Sequence, residues 1–99
     1  MERLSNIHPG DILKEEFLKS LKLSSYKLSR YLEIPKSRIY QILKGKQRIT
    51  VNTALKLSTY FGNSAKFWMG LQDDFDIEKV IITKCGILER INSRSKIDA

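Results

Sequence analysis

The sequence predicts an all-α chain of five short helices, two of which form a helix-turn-helix. Three observations carry this. Apolar residues recur at three- and four-residue spacing along the chain, with no convincing strand alternation and no repeat. Serine, threonine and asparagine stand where helices would begin, and glycine stands where two of them would stop. Pro35 lies in a gap of three residues between two of the helical patterns, too short for anything but a tight turn.

The first helix is expected in "HPGDILKEEFLKSL". Pro9 suits the first helical position, where its missing N–H costs nothing, and Asp11, Glu15 and Glu16 lie near the positive end of the helix dipole. Ile12, Phe17 and Leu21, with Leu13 and Leu18 alongside, form the stripe expected to face inward. His8 has no nucleophile or carboxylate arrangement beside it, so a capping or surface role is expected rather than catalysis.

The second helix begins in "LSSYKLSRYL" with Ser24 as N-cap and Leu28 and Leu32 inward, and ends before Pro35, which pushes Ile34 out of helical geometry. The third runs from Lys36 to about Lys44, with Gly45 the left-handed residue that stops it. The fourth, in "ITVNTALKLSTYFG", is capped by Thr50 and closed by Gly62, with Ala54, Leu55, Leu57, Ser58 and Phe61 along one side. The fifth, in "NSAKFWMGLQDDFDIEKV", is capped by Asn63 or Ser64 and brings Phe67, Trp68 and Leu71 together as core or dimer interface. Residues 1–78 are read as one domain. Residues 79–99 are an extension expected to continue the last helix and then fray.

Composition limits the function. A chain of 99 residues with 41% hydrophobic and 29% charged residues is an ordinary single folded domain. Its net charge of +7 favours a polyanionic partner. The charge is concentrated: Ser24 to Arg48 holds seven bases and one acid, Glu33, whereas residues 1–23 balance and residues 49–99 carry seven bases against six acids. Cys85 is the single cysteine and His8 the single histidine, so no internal disulfide and no zinc set is expected, and no other metal or cofactor is called for. The opening "MERLSNIHPG" lacks the apolar centre of a signal peptide, and no apolar run is long enough for a bilayer, so a cytoplasmic protein with no membrane partner is expected.

The third helix, turned about 100 degrees per residue, separates two faces. Ile39, Ile42 and Leu43 fall on one side. Ser37, Tyr40, Gln41 and Lys44 fall on the other, with Arg38 on a flank and Lys36 at the N-terminus. The apolar side docks and the polar side is free to enter a major groove. Lys36, Ser37 and Gln41 are the expected readers of base edges. Arg38 and Tyr40 are placed to contact either a base or a phosphate. Lys44, Lys46 and Arg48 are expected on phosphates, which give affinity without sequence information. Ser25 and Lys27, at the start of the second helix, are the remaining candidates for a phosphate anchor. The competing reading is a protein-interaction module whose basic face docks an acidic partner; it predicts no discrimination between DNA sequences. An enzyme has little support, because Asp73, Asp74, Asp76 and Glu78 form an acidic run without a metal-binding loop or a partner base.

The stretch "LSSYKLSRYLEIPKSRIYQILKGK" resembles the helix-turn-helix of the XRE, or lambda-repressor-like, class. More narrowly, "NIHPGDILKEEFL", "RIYQILKGKQRIT" and "TALKLSTYFGNSAKFWMGLQDDFDI" resemble the HigA-type antitoxins, some called virulence-associated protein I, over about Asn6 to Ile77. The resemblance implies a five-helix lambda-repressor-like fold, a homodimer on operator DNA, repression of the protein's own toxin-antitoxin operon, and neutralisation of a RelE-like mRNA-cleaving toxin. A plain XRE-type repressor without a toxin is the alternative. Trp68, Met69 and Phe75 on the last helix exceed the evident needs of a small core and are the expected dimer contacts. The sequence departs from the family at Glu33, where many members have glycine and where either a left-handed residue or a different turn is expected. It departs also at Ser25 in place of a glutamine, which shortens any phosphate contact there, and at Ser29 in place of an alanine.

Overall fold

The computed structural model describes residues 6–95, and these form helices joined by short turns, with no strand among the described residues. Helix α1 is composite: Pro9–Ile12 is α-helical, Leu13–Leu18 is a π-helical stretch, and Lys19–Leu21 returns to α-helix. Helix α2 is Ser25–Leu32, α3 is Lys36–Leu43, α4 is Val51–Phe61 and α5 is Ala65–Asn92.

The cap residues act as expected at four of the five starts. Ser24, Thr50 and Ser64 accept from the backbone N–H groups of Lys27, Thr53 and Phe67. His8 caps α1 through its ring, with Nδ1 accepting from Gly10 N–H at 2.8 Å. His8 is buried, not superficial, and its ring meets the edge of Phe75 at 4.8 Å. Asn63 does not cap: its side-chain oxygen accepts from Trp68 Nε1 at 2.8 Å.

Three turns end in the same way. Lys22, Glu33 and Gly45 each adopt a left-handed conformation, at φ 53°, 55° and 76°. In each case the next residue's N–H reaches back to the last helical turn: Leu23 to Leu18, Ile34 to Ser29 and Lys46 to Gln41. Glycine takes this geometry freely, whereas for Lys22 and Glu33 it costs about 1 to 2 kcal/mol each.

Leu13, Leu28, Ile39, Ile42, Ile49, Leu57 and Trp68 form the centre of the core. Trp68 is fully buried beside Phe17, Phe61 and Phe67, so it serves the core and is not available as a dimer contact; Met69 is half-buried against the same core and Phe75 is half-buried against His8. Two residues assigned to inward stripes face outward. Leu21 is exposed because the π-helical stretch before it absorbs an extra residue per turn and rotates the last turn of α1 off the stripe. Leu55 is exposed because Ala54, Leu57, Ser58 and Phe61 already fill the i, i+3, i+4, i+7 face, and it falls on the flank.

Helix α5 begins in the core and leaves it. The radius of gyration is 16.8 Å, against about 13 Å for a compact domain of this length. From Lys79 to Arg94 every residue is exposed, including Val80, Ile81, Ile82, Ile87, Leu88 and Ile91. The helix bends at Lys84 (φ −121°, ψ 18°). The Thr83 hydroxyl, donating to the Lys79 carbonyl at 2.9 Å, and Gly86 just beyond supply the local cause. The expected fraying would fall partly on residues 96–99, which lie outside the described residues.

Candidate nucleic-acid interface

Helices α2 and α3 meet across the turn Glu33, Ile34, Pro35. Ile34 is buried beneath it, and Lys56 Nζ from α4 donates to the Glu33 carbonyl at 3.2 Å, so the left-handed turn is held from both sides. Helix α3 then lies across α1 at very close range. A Cβ on Gly10 would stand 1.9 Å from the Ile42 carbonyl oxygen. Only a residue without a side chain lets the two backbones pass there, and that contact sets how far α3 projects.

The two faces of α3 separate as expected. Ile39 and Ile42 are buried and Leu43 is half-buried, whereas Lys36, Ser37, Arg38, Tyr40 and Gln41 are all exposed. Lys27, Lys44 and Lys46 are exposed as well, and Ser25 is half-buried at the start of α2. All ten candidate residues therefore fall within the helix-turn-helix and the loop after it.

Aromatic rings organise the cations on this surface. Lys44 Nζ lies over the Tyr40 ring at 4.6 Å, and Lys36 Nζ lies over the Tyr26 ring at 5.5 Å. The Arg30 guanidinium shares the Tyr26 ring at 5.8 Å. Tyr26 and Arg30 were not among the residues singled out from sequence. Tyr26 lies one turn of α2 before Arg30, but its proximity to Lys36 depends on the crossing of α2 and α3.

The loop after α3 is tied to α5. Gln72 is buried, and its side-chain oxygen accepts from Ile49 N–H at 2.7 Å while its Nε2 donates to Asp76 at 3.0 Å. Arg48 donates to the other oxygen of Asp76 at 2.7 Å, so this base is ion-paired within the chain, whereas Lys44 lies over Tyr40 and Lys46 is exposed. Burial alone would raise the pKa of Asp76, but the hydrogen bonds from Arg48 and Gln72 outweigh it and hold the carboxyl below its ordinary range. The acidic run thus divides: Asp73 and Asp74 are exposed, Asp76 holds Arg48 and Gln72, and Glu78 accepts from Asn6 N–H at 2.8 Å.

This geometry agrees with comparisons to known proteins. A helix-turn-helix family model matches residues 14–68. Virulence-associated protein I of Dichelobacter nodosus is 43% identical over 72 residues, which span 73% of this chain and 67% of that protein. A solved addiction module antidote protein of the HigA family from Coxiella burnetii superposes with a TM-score of 0.84 at 39% identity, over 88% of this chain and 95% of that one. The antitoxin HigA of Pseudomonas aeruginosa, solved with the higBA promoter, superposes with a TM-score of 0.83 at 32% identity, over 86% of this chain and 92% of that one. Among the described residues no helix is long and apolar enough to cross a membrane. The chain belongs to the helix-turn-helix family and, within it, to the HigA-type antitoxins, a group of DNA-binding proteins and not of enzymes.

Proposed function

We propose that the protein is the antitoxin of a type II toxin-antitoxin module, which neutralises a RelE-like mRNA-cleaving toxin in the cytoplasm and represses its own operon as a homodimer. The observation that carries the DNA-binding half is the exposed face of α3, basic and polar, braced from behind by Ile39, Ile42 and the Gly10 crossing. In this reading Lys36, Ser37 and Gln41 meet base edges, Arg38 and Tyr40 meet a base or a phosphate, and Ser25, Lys27, Lys44, Lys46 and Arg48 meet phosphates. Arg48 is paired with Asp76, whose negative charge offsets part of its attraction to a phosphate.

The apolar surface on the projecting half of α5 supports the homodimer, because Ile77, Val80, Ile81 and Leu88 line a notch with no packing partner from the core. Residues 1–78 would then be the DNA-binding domain and residues 79–99 the extension through which two copies meet. Pairing sets two α3 helices about one DNA turn apart, roughly 34 Å, on a palindromic site.

Two measurements test the proposal. The protein should shift DNA from its own promoter at concentrations that leave a scrambled duplex free, and run as a dimer in light scattering. Co-expression with the small basic frame adjoining its gene should rescue growth that this frame alone arrests. Promoter binding without rescue would leave the plain repressor, and equal binding to both duplexes would leave the protein-interaction module.

A further inference from the structure

The N-terminal half of α3 carries a shallow notch whose walls, among the described residues, are Lys36, Ser37 and Tyr40. Tyr40 stands three residues after Ser37 and four after Lys36, so the three share one helical face. The Lys36 ammonium lies over the Tyr26 ring at 5.5 Å, a contact that leaves its methylene stem to serve as one wall. The Tyr40 ring is steadied from the C-terminal side by Lys44 at 4.6 Å and forms the opposite wall, half exposed at 50%. Ser37 supplies an aliphatic hydroxyl beside them. The result is a small apolar slot, flanked by two cations, at the part of α3 that a helix-turn-helix presents to the major groove.

The major-groove edge of DNA displays one apolar group, the 5-methyl of thymine. An apolar slot between two ammonium groups fits that group and the phosphates on either side of it. The geometry points to Tyr40 as a thymine reader: its ring and the Lys36 stem enclose a thymine 5-methyl, and the Ser37 hydroxyl is left to meet the adjacent O4. Cytosine presents at the same place only a C–H and an amino donor, so the slot separates T·A from C·G by shape. This inference rests on the DNA-binding reading above and adds which base feature is recognised.

The test removes the methyl and nothing else. A preferred duplex is selected from a random-sequence library with the wild-type protein. Each thymine in it is then replaced by deoxyuridine, which keeps the O4 acceptor of that edge and lacks only the methyl. One thymine per half-site should show a loss of about fourfold, or about fifteenfold when both half-sites are changed, the value of one buried methyl at each. Tyr40→Ala should abolish that penalty and Tyr40→Phe should keep it. Both variants are at an exposed position and should melt with the wild type. A selected duplex in which no deoxyuridine matters overturns the inference while sparing the DNA-binding reading. A penalty that survives Tyr40→Ala overturns it as well. Failure of the library to yield any preferred duplex removes the DNA-binding reading itself.

Discussion

The close passage of α1 over α3 makes a sharp prediction at Gly10. An alanine there would place its Cβ 1.9 Å from the Ile42 carbonyl oxygen and 3.1 Å from His8 Nδ1. Real Cβ contacts do not fall below 3.0 Å, so α1 and α3 must part by about 1.1 Å merely to reach that limit. Overpacking of this kind costs about 1 to 3 kcal/mol. Alanine recovers part of it, because it favours a helix interior over glycine by up to about 1 kcal/mol, and by less in a first turn. The net expectation for Gly10→Ala is a loss of about 1 to 2 kcal/mol, which lowers the melting temperature by about 5 to 15 °C in a domain of this size. Gly70 is the control, since a Cβ there meets nothing within 4 Å; Gly70→Ala should stabilise by up to about 1 kcal/mol. Urea titrations followed by circular dichroism at one fixed protein concentration measure both, the concentration being held because self-association would make stability depend on it. Displacement of Ile42 also moves the carbonyl that accepts from Gly45 N–H, so Gly10→Ala should weaken DNA binding at a temperature where it remains folded. If Gly10→Ala proves as stable as Gly70→Ala, the close crossing is not what sets α3.

Glu33→Gly should raise stability by about 1 kcal/mol in the same titration, because glycine relieves the left-handed conformation at φ 55°; the Lys56 contact to the backbone carbonyl is common to both chains, so an unchanged midpoint would mean that the left-handed residue carries no cost there. Gln41→Ala should weaken a selected duplex by about 1 to 3 kcal/mol and leave random DNA nearly unchanged, whereas Lys46→Ala should weaken both and reduce the salt slope by about one unit. Equal losses on both duplexes for Gln41→Ala, or an unchanged slope for Lys46→Ala, would reverse their assigned roles. Burial holds the His8 imidazole below its ordinary pKa of 6.5, with Lys79 acting in the same sense and Asp11 and Asp76 against it. The folded state therefore binds fewer protons than the unfolded chain, so stability is full above pH 6.5 and is lost as the pH falls through the lowered native value. His8→Asn, which retains a capping oxygen without titrating there, should flatten that window, and a profile identical to wild type would exclude His8 as its cause.

The starts and stops of the helices were legible because each depends on a residue type with a local mechanism: Ser24, Thr50 and Ser64 as acceptors, Pro35 and Gly45 as breakers. The division of α3 was legible for the same kind of reason, since a 3.6-residue period is a property of the chain alone. What the sequence hid was relational. The exposure of Leu21 stems from a π-helical stretch with no signature in its residue types. The place of Trp68 depended on how many other aromatics the core could gather, and an excess counted from sequence was no guide to that. Gln72 did carry a signal: it lies four residues after Trp68, on the same buried stripe, and a polar side chain there requires a partner. That the partner would be Ile49 N–H, across 23 residues, was not readable.

Helix α5 joins what the rest of the chain keeps apart. Its first turns pack Trp68 into the core, its middle holds the loop after α3 through Gln72 and Asp76, and its projecting half carries apolar residues with no core of their own. A rigid helix that holds both the exit of the reading helix and the surface on which a second copy would seat transmits position between them. With Ile49 N–H fixed at 2.7 Å to a buried side chain, the loop cannot slide along α5 without leaving a buried backbone donor unpaired, a penalty of about 1 to 3 kcal/mol. The bend at Lys84 lies beyond that attachment, so it changes the direction of the distal helix without disturbing α3. Half-site spacing would therefore be set by the segment from Asp76 to Lys84, where the ordered core ends and the exposed apolar stretch begins.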